Sequence, residues 1–146
     1  MTNEAASARA TIFVADDDEY ARRLVVRLLD EHGYAVVDAG DGAAALEYLA
    51  GAADGDIAMP DALLLDFAMP GMSGIGIVRA LRRFISLPPT VLMTGFPDPS
   101  VEMFARAVGI ATVLHKPLDA DRLLAEIDKA VALGAKARGG DVGPAR

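Results

Sequence analysis

The chain contains no cysteine. That absence excludes disulfides and thiolate metal sites, and a fold of 146 residues that needs no oxidative staple points to a cytoplasmic setting. Long apolar runs are missing too. No stretch approaches the roughly 18 residues that span a bilayer, and residues 1–9 lack the apolar core of an export signal, so neither membrane insertion nor export is expected. Positive charge is scarce: 14 Lys and Arg against 21 Asp and Glu leave a net charge of −7, which repels a nucleic-acid backbone at long range. Direct nucleic-acid binding is therefore not expected. There is no Gly-rich P-loop, and no Ser and His pairing of hydrolase type.

What is present is an apolar fraction of 53% with 24% charged residues, enough to bury one core but too short a chain for two full domains. Apolar runs alternate with helical patterns. Residues 11–15 form a short β-branched run ending in Asp16, Asp17 and Asp18, after which Ala21, Leu24, Val25, Leu28 and Leu29 recur at helical spacing until Gly33. The alternation repeats with strands at 35–39, 62–65, 90–93 and 112–115. Between and after them, helices are expected at 43–50, around Ile75, Val78 and Leu81, at 100–108 with Ser100 as cap, and at 119–133. Five β-α units predict an α/β fold, a doubly wound five-stranded parallel sheet in the flavodoxin-like order 2-1-3-4-5 with helices on both faces. The domain is expected over residues 10–133, with residues 1–9 as a flexible N-terminus and the glycine-containing residues 134–146 as a flexible tail.

In such a sheet the functional groups lie at the carboxyl ends of the strands. Those ends present Asp16 and Asp17, then Asp66, then Thr94, then Lys116. A single Asp at a strand end is most simply a cap or a solvated turn. Three at corresponding ends repel one another and suit a hard cation such as Mg²⁺, which takes one or two protein carboxylates and keeps several waters. With a cation screening phosphoryl oxygens, one carboxylate can attack phosphorus, while a hydroxyl and an ammonium hold the transferred group.

The ordered set Val14-Ala15-Asp16-Asp17-Asp18, Leu65-Asp66-Phe67-Ala68-Met69-Pro70-Gly71-Met72-Ser73-Gly74, Val91-Leu92-Met93-Thr94-Gly95 and His115-Lys116-Pro117 resembles the receiver domain of response regulators. The resemblance implies that Asp66 is the phosphoacceptor. Asp17 would be the principal ligand of Mg²⁺ or Mn²⁺, with Asp16 in support and the Ala68 carbonyl as a further ligand. It implies Thr94 as the switch hydroxyl and Lys116 as the phosphate-binding lysine. Partners would be a histidine kinase or histidine phosphotransferase, a downstream protein target, and a second copy in a phosphorylation-linked dimer. The chain departs from the family pattern at Val113, where many receivers carry an aromatic residue, and at Ala68 and Phe96, where polar groups often position a hydrolytic water. Slow loss of phosphate is the expectation that follows.

Two other readings remain open at this stage. A metal-dependent phosphohydrolase with an aspartyl intermediate usually needs a second carboxylate two residues after the nucleophile, where Ala68 stands. A degenerate receiver that binds partners without phosphorylation would not need the intact acid set. His32, His115 and the arginines Arg79, Arg82 and Arg83 are expected to be structural or solvated.

Overall fold

A computed structural model describes residues 9–142, with side chains described through Ala137. Strands β1 (Thr11–Ala15), β2 (Ala35–Ala39), β3 (Ala62–Asp66), β4 (Thr90–Thr94) and β5 (Thr112–His115) alternate with helices α1 (Glu19–Glu31), α2 (Gly42–Ala53), α3 (Gly74–Leu81), α4 (Pro99–Ala107) and α5 (Ala120–Val142). All neighbouring strands pair in parallel, in the order β2-β1-β3-β4-β5 predicted from the sequence.

Side chains alternate across a strand, so each strand feeds two cores. Phe13, Leu63, Leu65 and Leu92 face the layer that holds Ala45 and Leu49 of α2, Ile75, Ile77 and Val78 of α3 and Val101 and Ala105 of α4. Ile12, Val14, Leu64, Val91, Met93 and Leu114 face the opposite layer, built from Val25 and Leu29 of α1 and Leu123 and Ile127 of α5. Every residue of β3 is buried, which is why its sequence reads as an unbroken apolar run up to its aspartate. On α1 the buried stripe is Val25 and Leu29, and Leu24, expected to face inward, is 49% exposed.

Helix starts follow capping chemistry. Asp18, Asp41 and Ser73 each accept a hydrogen bond from the backbone N–H three residues on, at 3.1, 2.7 and 3.0 Å. The expected Ser100 cap is corrected: Pro99 occupies the first turn of α4, and Asp98 caps it by accepting from the Ser100 N–H at 3.0 Å. Gly33 ends α1 at φ +99°, a conformation other residues seldom adopt.

Two expected boundaries also move. The last helix does not stop at Leu133 but continues to Val142, because Gly134 is buried on its packed side and stays helical, at about 1 kcal/mol relative to Ala. Arg9 is not loose. Its backbone N–H donates to the Gly33 carbonyl at 3.0 Å, and its guanidinium pairs with Asp128 of α5 at 3.1 Å and lies 4.7 Å from the Tyr34 ring centroid. The Tyr34 hydroxyl donates to the same carboxylate, and burial followed by that hydrogen bond pushes its pKa up to about 12. Residues 1–8 and 143–146 of the expected flexible ends lie outside the described residues.

Gly74 sets the distance between α3 and the end of β3. A β-carbon there would lie 2.6 Å from the Asp66 carbonyl oxygen and 2.9 Å from the Leu92 side chain, and a backbone atom cannot rotate away. Gly74→Ala is expected to lower stability by about 1–3 kcal/mol, the usual range for overpacking, as read from a lower urea midpoint. An unchanged midpoint would show that α3 is free to shift.

Candidate functional site

The acidic and basic side chains named from the sequence converge at the carboxyl ends of three strands, β1, β3 and β5. Parallel register brings Ala15 level with Leu65, Asp66 level with Met93 and Thr94 level with His115, so the residues at or just beyond these positions share one rim. Carboxylate oxygens of Asp16, Asp17 and Asp66 all lie within 4.8 Å of one another. The Lys116 ammonium reaches between two of them, donating to Asp16 Oδ2 at 3.2 Å and to Asp66 Oδ2 at 3.1 Å. Asp16 and Asp66 are buried and Asp17 is exposed, so the cluster has an open side. A cis peptide joins Lys116 to Pro117, and the Lys116 backbone N–H donates to the Thr94 carbonyl at 2.8 Å.

Burial and the neighbouring Asp16 charge push the Asp66 pKa up to about 6, with Lys116 pulling the other way. For Lys116, burial disfavours the ammonium, but Asp66 and Asp16 outweigh it and the net shift is upward. One ammonium thus does not neutralise the acids around it. The donor set is all oxygen, it carries excess negative charge, and one of its members faces solvent. Those properties fit a hard divalent cation held by Asp16, Asp17 and Asp66.

One supporting residue carried no signal in the sequence. Arg22 of α1 donates to the Asp16 carbonyl at 2.7 Å and to the Asp38 carboxylate at 2.8 Å, tying the end of β1 to β2. Its position one turn into a helix gives no hint of this, because both partners lie outside that helix. Thr94 is fully buried, and its Oγ1 accepts from the Phe96 N–H at 2.9 Å. Phe96 packs edge-on against Phe67, with ring centroids 5.5 Å apart. Ala68 sits exposed in the loop after Asp66, and Val113 is a partly buried member of the core. His32 and His115 lie away from the cluster, paired with Asp128 and Glu102, each at 3.1 Å.

The family model for the response regulator receiver domain matches residues 12–128. The DNA-binding transcriptional regulator NtrC of Escherichia coli K12 is 31% identical over 124 residues, covering 85% of this chain and 25% of its own length. The transcriptional regulatory protein FixJ of Bradyrhizobium diazoefficiens is 32% identical over 125 residues, covering 86% of this chain and 58% of its own. The chain therefore spans a quarter to somewhat over half the length of these relatives. The crystal structure of full-length FixJ from B. japonicum superposes with a TM-score of 0.79 at 30% identity, covering 92% of this chain and 64% of that one.

Two outcomes follow from the electrostatics. With a folded-state pKa near 6 against an ordinary 3.8, Asp66 binds its proton more tightly in the folded protein than in the unfolded one. The metal-free fold should therefore lose stability as pH rises from about 4 to about 6, with the penalty full above that. Asp66→Asn removes the penalty. At pH 7 in EDTA it should be more stable than wild type by on the order of 2 kcal/mol, and the difference should vanish toward pH 4. A pH-independent difference in urea midpoints would refute this account. Millimolar Mg²⁺ should raise the melting temperature of wild type by mass action, and Asp17→Asn should blunt the rise. Equal responses in the two proteins would contradict a cation site that uses Asp17.

Proposed function

The chain belongs to the response regulator receiver domain family, and from that membership we propose that it accepts a phosphoryl group on Asp66 from a histidine kinase or histidine phosphotransferase and signals through protein contact. The observation that carries this reading is the single ammonium of Lys116 bridging Asp16 and Asp66 inside a cluster of three acids. Such a site is short of positive charge and long on carboxylate, which suits a phosphoacceptor that works with a bound cation.

In this reading Asp66, ionised at neutral pH, attacks phosphorus with a carboxylate oxygen while the bond from phosphorus to the donor's histidine nitrogen breaks on the opposite side. The nitrogen leaves with the bonding electron pair. Lys116 then turns from the free carboxylate to a phosphoryl oxygen, and the Thr94 hydroxyl donates to another. A Mg²⁺ or Mn²⁺ ion held by Asp17, Asp16, Asp66 and the Ala68 carbonyl would supply the remaining positive charge. The receiver family is not a conventional enzyme family. The chemistry proposed is the chain's own modification and its reversal.

Among the described residues no helix is long and apolar enough to cross a membrane. We place the protein in the cytoplasm, with a downstream protein target and a phosphorylation-linked second copy as further partners and no direct nucleic-acid contact. Ala68 has no group to hold an attacking water, so the phosphate should be slow to leave.

Incubation with acetyl phosphate and Mg²⁺, followed by intact-mass spectrometry, should show one added phosphoryl group on wild type and none on Asp66→Asn. Labelling of the variant to the wild-type extent would sink the assignment. After removal of the donor, the same time course should show faster loss from Ala68→Asn than from wild type. Equal rates would remove water positioning as the control on lifetime.

A further inference from the structure

Arg79, Arg82 and Arg83, at the end of α3, are all exposed, and among the described residues none of them pairs with a carboxylate. The long helices differ. On α1 and α5, Arg22, Arg23, Arg27, Arg122 and Lys129 each reach an Asp or Glu side chain. Arg106 of α4 and Lys136 of α5 also lack an acid, but they stand on separate helices. Unpaired positive charge is thus gathered at one place on a chain whose net charge is −7.

Standing three and four residues apart, the arginines leave one face of the helix at about 5–6 Å from one another. The Arg82 N–H donates to the Val78 carbonyl at 2.9 Å, so the helical course reaches them. Like charges at that spacing repel. The carbonyl end of α3 offsets part of this, since a helix C-terminus favours cations, and the Arg82 guanidinium also donates to the Ala107 carbonyl of α4 at 3.4 Å. Neither effect accounts for the next residue. Phe84 is 81% exposed, the highest value of any large apolar side chain among the described residues. Its backbone is held, the N–H donating to the Leu81 carbonyl at 2.9 Å, and Leu81 and Ile85 on either side of it pack into the core. The ring is therefore presented to solvent by a fixed turn.

Guanidinium groups take carboxylates in a planar geometry with two hydrogen bonds, and arginine and aromatic side chains are enriched where proteins meet. The reach of charge decides among anions. At physiological salt it is screened over about 8 Å, so a short acidic segment on these arginines meets local positive charge and little of the net negative charge beyond them. A nucleic acid or a membrane extends further and meets that negative surface as well. The patch also lies away from the acid rim. The Pro89 carbonyl, shortly after Phe84 in the chain, accepts from the Leu63 N–H at 3.0 Å, at the end of β3 opposite Asp66.

We propose that Arg79, Arg82, Arg83 and Phe84 form a docking surface for an acidic protein segment, whose carboxylates pair with the guanidinium groups while an apolar side chain covers the Phe84 ring. The inference goes beyond phosphorylation of Asp66 and does not rest on it.

The test uses unphosphorylated protein in EDTA, labelled with nitrogen-15 and titrated with a synthetic peptide of about ten residues, Asp and Glu around one Leu and one Phe. The backbone amide signals of Arg79, Arg82, Arg83 and Phe84 should move, and the affinity should fall severalfold between about 0.05 and 0.2 M salt. Arg79→Gln combined with Arg83→Gln should lower the affinity at least about tenfold, and Phe84→Ala about three- to tenfold with all the charge retained. Because these side chains are exposed, the variants should melt within about 2 degrees of wild type. Signals that stay in place at millimolar peptide, or an affinity that Phe84→Ala leaves unchanged, would overturn the proposal. So would oligothymidylate or phosphatidylserine vesicles that move the same signals at lower concentration than the peptide, since the arginines would then belong to a nucleic-acid or membrane surface. A dimer in sedimentation equilibrium that Phe84→Ala abolishes would assign the surface to a second copy and likewise overturn it. No phosphodonor enters the experiment, so failure here does not bear on the reading of Asp66.

Discussion

Two buried carboxylates, Asp16 and Asp66, share one ammonium, Lys116, at distances of 3.2 and 3.1 Å. Charges removed from water in this way hold only if each has a partner, and here three acids meet a single cation. The rest of the architecture positions that imbalance. β1 and β3 lie side by side at the point where the strand order reverses, β4 delivers the hydroxyl, and β5, at the sheet's edge, delivers the lysine. Parallel strands with both faces covered leave their carboxyl ends as the place where polar groups from four separate segments meet without crossing the core.

The excess negative charge works against the fold. Burial and the Asp16 charge hold the Asp66 pKa near 6, and added positive charge beside it would lower that value. A charge imbalance of this kind costs stability, and any cation that binds the native state alone would offset it by mass action.

The acids and the hydroxyl were legible in the sequence because each closes a buried strand, while the lysine closes the edge strand β5 and is marked by the proline after it. The sheet order followed from counting such units. Arg22 was not legible, since its partners Asp16 and Asp38 lie outside its helix and nothing in helical spacing marks them. The cap expected at Ser100 lies at Asp98 instead, because Pro99, comfortable in a first turn, lets the helix begin earlier. Gly134 was read as a stop, yet on the packed side of α5 it is simply a small residue. The pairing of Arg9, Tyr34 and Asp128 joins positions far apart in the chain, and such contacts have no local signature.

That last cluster has a geometric consequence. Arg9 enters β1 from the amino ends of the strands, and α5 runs back from the lysine end toward the same side, where Asp128 clasps Arg9. One pole of the domain carries this pairing and the other carries the acid cluster. Arg9 and Asp128 therefore meet at the opposite end of the strands from Asp16, Asp66 and Lys116, so the contact that ties the first described residue to the last helix leaves the acid rim untouched.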